Sequence, residues 1–96
     1  MNELPPSAFG HAIQALHGTR SRLIDRERVV EQFEGAPVWE GDVLVFELID
    51  HPTARRCFAW EIDGKVTAVL ALPPIESARD AVRAALVAEY RARREN

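Results

Sequence analysis

Arg56-Cys57-Phe58-Ala59-Trp60-Glu61-Ile62-Asp63-Gly64-Lys65-Val66-Thr67-Ala68-Val69-Leu70-Ala71-Leu72 is two runs of strand formers around an Asp-Gly pair. A two-residue hairpin loop of type I′ needs positive φ at both central positions, and Asp-Gly meets that need. The spacing predicts strands over 56–62 and 66–72. Antiparallel partners then share a constant index sum, so Ile62 faces Lys65, Trp60 faces Thr67 and Phe58 faces Val69. One face carries Phe58, Trp60, Ile62, Thr67, Val69 and Ala71. The other carries Cys57, Ala59, Glu61, Val66, Ala68, Leu70 and Leu72. A sheet with a wet side alternates apolar and polar residues, and this hairpin is largely apolar on both sides, so both faces must be covered. One helix per face, or a strongly curled sheet, is one answer. The expectation taken forward is the other, in which both helices lie on one face and a second subunit covers the face around Cys57, Ala59, Ala68 and Leu70. Small residues there permit close sheet packing, and twofold dimers are the commonest closed assembly.

Working outward, Val38 to Ile49 is β-branched or aromatic over most of its length and is ended by Asp50-His51-Pro52, which predicts another strand. Residues 22–33 also read as a strand, although Leu23, Ile24 and the Arg/Glu run would equally extend a helix, and residues 34–37 (Glu34-Gly35-Ala36-Pro37) read as a turn. Upstream, Pro5-Pro6-Ser7 with Phe9, Ile13, Leu16 and Gly18 predicts a helix over 8–17 with Ser7 as its N-cap. Downstream, Pro73-Pro74 stops the sheet, and Ser77-x-x-Asp80 resembles a capping box. The stripe Ala81, Val82, Ala85, Leu86 and Tyr90 then predicts a helix over 77–94. The order α-β-β-β-β-α defines an α+β domain, an antiparallel sheet with N- and C-terminal helices packed on it. Residues 1–96 form one domain, with 1–6 expected to be flexible and 95–96 frayed.

With 47% apolar and 28% charged residues, the composition is that of a soluble folding domain rather than a disordered chain. A net charge of −3 gives no general attraction for phosphate backbones, so nucleic acid is disfavoured. The single cysteine excludes an internal disulfide, and no Cys/His ligand set is present. These features, together with the lack of a secretion signal or apolar span, lead to the expectation of a cytoplasmic protein without membrane contact, metal or cofactor.

Candidate chemistry concentrates in residues 51–60. A cysteine nucleophile needs a base within hydrogen-bond reach, and Arg55 and Arg56 beside it would lower its pKa, so His51, Cys57, Arg55 and Arg56 are the candidate catalytic or redox residues. Against this, Asp50-His51-Pro52 is natural turn chemistry and Cys57 reads as a small buried hydrophobe. His11 and His17 lie six apart, about 240° around a helix, so they cannot share a metal. Glu40 and Asp42 share a strand face and read as a solvated side. Arg79, Arg83, Arg91, Arg93 and Arg94 raise the possibility of RNA binding, and the topology resembles double-stranded-RNA-binding domains. That family places lysines at the start of its last helix, where this chain has Glu76 and Asp80. Pairing distances instead suggest Glu76 with Arg79, Asp80 with Arg83, and Glu89 with Arg93. Trp60 is expected to be buried, and Trp39 suits a core, a pocket or an interface equally.

Val-Trp-Glu-Gly-x-Val-x-Val-Phe at 38–46, His-Pro-Thr-Ala at 51–54 and the segment 73–91 resemble small stand-alone bacterial proteins without assigned activity, over roughly residues 13–91. The resemblance implies a bacterial protein whose whole chain is the functional unit, and it carries no mechanism. The sequence therefore leads to a self-associating binding or interaction module without catalysis, its partner a protein or small molecule. A small enzyme or redox protein using His51 and Cys57, and an RNA-binding module, are the alternatives.

Overall fold

The Asp63-Gly64 turn forms as its chemistry requires, with φ of 52° and 80°. It joins β3 (Arg56–Ile62) to β4 (Lys65–Leu70), and Ile62 pairs with Lys65, Trp60 with Thr67 and Phe58 with Val69. A second tight turn uses Glu34 and Gly35, with φ of 52° and 81°, between β1 (Ser21–Phe33) and β2 (Ala36–Leu48). That turn is shorter than the sequence suggests, because these two residues supply both left-handed positions and Ala36 already pairs with Phe33. Pro37 enters the strand beside a register shift between Glu31 and Gln32, where its missing N–H is tolerated. The computed structural model describes residues 4–94. Within them, α1 (Pro6–His17) precedes the strands, α2 (Ala78–Arg94) follows, and the sheet runs β1-β2-β3-β4 with every pair antiparallel. This is the expected α+β order.

Residues 22–33 are strand, not helix, because β1 pairs with β2 along its whole length and its charges pair across the ladder. Arg28 lies directly opposite Asp42 and reaches both Asp42, at 3.3 Å, and Glu40, at 2.6 Å. Helix α1 begins at Pro6, earlier than expected. Ser7 is not its N-cap, since that position belongs to Pro5 and no side chain caps it. Pro6 suits the first turn because its φ is preset and its missing N–H would have had no partner there. Gly18, at φ 66°, closes the helix with its N–H on the Gln14 carbonyl. Of the segment expected to be flexible, Leu4 packs against the core and Pro6 is helical, while residues 1–3, like 95–96, lie outside the described residues. In α2, Ser77 Oγ accepts the Asp80 N–H and Asp80 Oδ2 accepts the Glu76 N–H, both at 3.1 Å, so the capping reading holds.

The two faces of the hairpin separate as the register dictates, but their covers differ from the expectation. Cys57, Ala59, Leu44 and Phe46 lie against Phe9 and Ile13 of α1, with Val66, Ala68 and Leu70 packed around them. Phe58, Trp60, Val43, Val45 and Val29 lie against Ala78, Ala81 and Val82 of α2, with Val69 and Ala71 alongside. Each face thus has one helix from the same chain. The placement of both helices on one side is corrected: Cys57 and Ala59 are fully buried under α1, and Ala68 and Leu70 are half-buried beside them. The physical reason is that α1 enters at β1, one edge of the sheet, and α2 leaves from β4, the other. Each can fold back over a different face without the entropy that association would cost. Where β2 extends beyond α1, the face that carries Leu44 and Phe46 continues as Asp42 and Glu40. These acids pair with Arg26 and Arg28 in an exposed ladder that needs no cover.

Candidate functional site

The sequence pointed to His51 and Cys57, and the structure gives each a structural task. His51 Nδ1 accepts the N–H of Ala54 at 2.9 Å and that of Thr53 at 3.2 Å, which closes the turn after β2. With Nδ1 accepting, Nε2 is the ring nitrogen left to donate. Arg20 Nε donates to Asp50 Oδ2 at 2.9 Å and holds that carboxyl below its ordinary value. Arg55 and Arg56 are exposed. Cys57 is fully buried beneath α1, its thiol 3.8 Å from the Phe58 carbonyl, and among the described residues no hydrogen bond joins it to His51 or either arginine. Burial pushes the thiol up to about 12, with a backbone hydrogen bond at Val69 pulling the other way, the reverse of what a thiolate nucleophile requires.

A testable consequence follows from the direction of that shift. The folded chain holds the Cys57 proton more tightly than an unfolded thiol near 9.0. The group's contribution to stability is therefore whole below about pH 9 and is lost as pH rises toward 12. At pH 8 iodoacetamide should leave the native protein unlabelled and alkylate Cys57 only after denaturation. Rapid labelling of the folded chain would contradict the buried, protonated thiol.

The remaining sequence candidates are also placed. His17 Nε2 bonds the Ala68 carbonyl at 3.0 Å, tying α1 to β4, and His11 is exposed. Among the described residues no three His, Cys, Asp or Glu side chains gather so as to hold a metal. No described helix is long and apolar enough to cross a membrane. Of the three expected ion pairs on α2, only Glu89 with Arg93 forms. Asp80 is engaged in the cap, and Arg83 reaches across to Glu31 of β1, at 3.0 Å.

A different region has the shape of a site. The tip of the β1–β2 hairpin and the C-terminal half of α2 enclose an open groove of about 960 Å³. Ten large apolar side chains stay exposed among the described residues, and five of them, Phe33, Val38, Ile62, Val87 and Tyr90, line this groove. Phe33 meets Tyr90 with ring centroids 6.4 Å apart. Trp39 forms part of the wall, tilted 59° against the buried Trp60 at 6.2 Å. The Trp39 ring has room there because residue 41 is glycine. A Cβ at Gly41 would sit 2.7 Å from Trp39 Cζ2.

The groove is also charged. Four arginines, Arg83, Arg91, Arg93 and Arg94, line it against two glutamates, Glu31 and Glu89, a surplus of two positive charges. Arg83 and Arg93 are paired with the two glutamates, whereas Arg94 lies over the Tyr90 ring at 5.8 Å and Arg91 has no carboxylate partner among the described residues. Glu31, only 6% exposed, gives one oxygen to Arg83, and its Oε2 is buried without a hydrogen-bond partner.

The Glu31–Arg83 pair should be asymmetric in its energetics, since Glu31 is buried and the Arg83 side chain is 59% exposed. Arg83→Ala strands a buried carboxylate and should destabilise by about 1–2 kcal/mol, whereas Glu31→Leu frees Arg83 into water and should cost less. Urea midpoints of the two variants check this order. Equal losses would mean that Glu31 is better solvated than its burial implies.

The stripe Ala81, Val82, Ala85, Leu86 and Tyr90 conceals this site, because Tyr90 does not face inward with the rest. The buried stripe comprises Ala78, Ala81 and Val82, continued by Ala85 and Leu86. Tyr90, 56% exposed, belongs to a separate line with Arg79, Arg83, Val87 and Arg94. That line of i, i+3 and i, i+4 steps, offset from the alanine-rich stripe, was the available signal. Comparison with protein-family models, curated proteins and solved structures finds no match to this chain.

Proposed function

We propose that this protein is a binding module without catalysis and that the groove between the hairpin tip and α2 is its binding surface. The observation that carries the reading is the convergence there of half of the exposed large apolar side chains among the described residues, rimmed by arginines. Apolar surface gathered into one concave place and bordered by charge is the usual form of a docking site. The groove also holds aromatic and arginine side chains, the residue types that dominate the energetics of recognition. Self-association, expected from the apolar hairpin, has no free sheet face available because α1 and α2 cover both. A second copy would use the groove or one of the two edges of the sheet, β1 or β4.

Photocrosslinking in living cells tests the reading. Phe33→p-benzoylphenylalanine and Val87→p-benzoylphenylalanine should yield discrete adducts identifiable by mass spectrometry, and the same replacement at His11, distant from the groove, should not. An adduct of twice the 10.8 kDa chain would name a second copy as the occupant. Adducts from His11 but none from Phe33 or Val87 would overturn the assignment of the surface.

A further inference from the structure

We infer that the occupant of the groove is an acidic peptide segment, bound in extended form along the outer edge of β1. This rests on the groove being the binding surface, and three observations point to the peptide.

The first is the edge itself. β1 runs for thirteen residues at the margin of the sheet, pairs with β2 on its inner side, and has no strand beyond it. A strand in that position presents unpaired backbone N–H and C=O groups, the template for strand addition. A second concavity, lined by Val30, Glu31, Gln32, Arg79 and Arg83, shares Glu31, Gln32 and Arg83 with the groove, so the hollow continues along the β1 edge.

The second is charge. Arg79, Arg83, Val87, Tyr90 and Arg94 recur at helical spacing on the flank of α2 that lines these hollows. Arg79, Arg91 and Arg94 have no carboxylate partner among the described residues. Side chains of an extended peptide alternate, so every second residue would face this flank, where carboxylates meet the arginines and a bulky apolar residue meets Phe33, Val87 and Tyr90.

The third is what β1 disfavours. When a strand pairs antiparallel with a twofold copy of itself, the axis passes through one residue and facing residues sum to twice its number. Axes at Asp25, Arg26, Glu27 or Arg28 each set that residue against its own copy, and an axis at Val29 sets Glu27 against Glu31. Like charges directly opposite are destabilising, so the central registers repel a second copy while leaving the edge open to a different strand.

The test is fluorescence anisotropy with three labelled probes: a peptide of about ten residues alternating Glu with Trp and Leu, its Lys-for-Glu counterpart, and a single-stranded RNA of similar length. The acidic peptide should bind, weaken as salt rises, and lose about tenfold in affinity in the exposed double variant Arg79→Glu/Arg94→Glu. Tyr90→Ala should weaken binding without changing the salt dependence. N-methylation of alternate peptide nitrogens should abolish binding in one frame and spare it in the other, a signature of strand addition that simple charge attraction does not produce. If the lysine peptide or the RNA binds more tightly and Tyr90→Ala weakens it, the groove stands as a binding surface and the acidic-peptide inference falls. If binding of the acidic peptide is indifferent to both sets of substitutions, the inference falls and the groove loses its support as well.

Discussion

Ala59→Asp should unfold this protein. Ala59 is completely buried in β3, facing α1 in the cluster that holds Phe9, Ile13 and Cys57. A carboxylate placed there is buried among apolar side chains, and burying it unpaired costs several kcal/mol, ~3–5 by comparison with broken buried pairs. The whole stability of a domain this size is ~5–15 kcal/mol. Thermal melts followed by circular dichroism should show the cooperative transition lowered by about 20 °C or lost. Ala84→Asp, on the exposed side of α2, should leave it nearly unchanged. The same substitution would convert a dimer into a folded monomer if that sheet face met a second subunit. Light scattering of the variant distinguishes the two results, and a folded monomer would mean that α1 does not cover the face.

Trp60→Ala should be the largest loss on the opposite face. Trp60 is 1% exposed, lies among Val43, Phe58, Ala81 and Val82, and carries the ring of Trp39 against it. Truncating a buried tryptophan removes its transfer free energy and leaves a cavity that the backbone of a sheet closes only in part, so ~3–5 kcal/mol should be lost. The urea midpoint should fall with an unchanged slope. The fluorescence of the remaining Trp39 should shift to the red, because its support on the sheet has gone. A loss below about 1 kcal/mol would show that α2 does not seal this face. The contrast with Trp39→Ala is informative, since Trp39 is only half-buried and its removal should alter the groove wall more than the fold.

These expectations depend on features of very different legibility. The hairpin at Asp63-Gly64 could be read residue by residue, because turn chemistry and the two-residue period of a strand are local, and together they determine which side chain faces which. The strand character of residues 22–33 was harder to read. Its run of arginines and glutamates has no apolar alternation, and it becomes a strand through charges on β2 such as Glu40 and Asp42. The candidate site was the least legible. Phe33, Trp39 and Tyr90 lie in three elements, and their meeting depends on how α2 is rotated about its axis.

Local chemistry along the chain was enough for the order of the elements, the register of the β3–β4 hairpin and the need to bury both of its faces. Packing in three dimensions was needed for α1 and α2 to take one face each, for Arg83 to leave Asp80 for Glu31, and for the spare aromatic and arginine residues to share one groove. The difference lies in separation along the chain. Contacts such as Arg83 with Glu31, 52 residues apart, leave no trace in a local period. They are selected by the packing of whole elements, once each apolar face has found its cover.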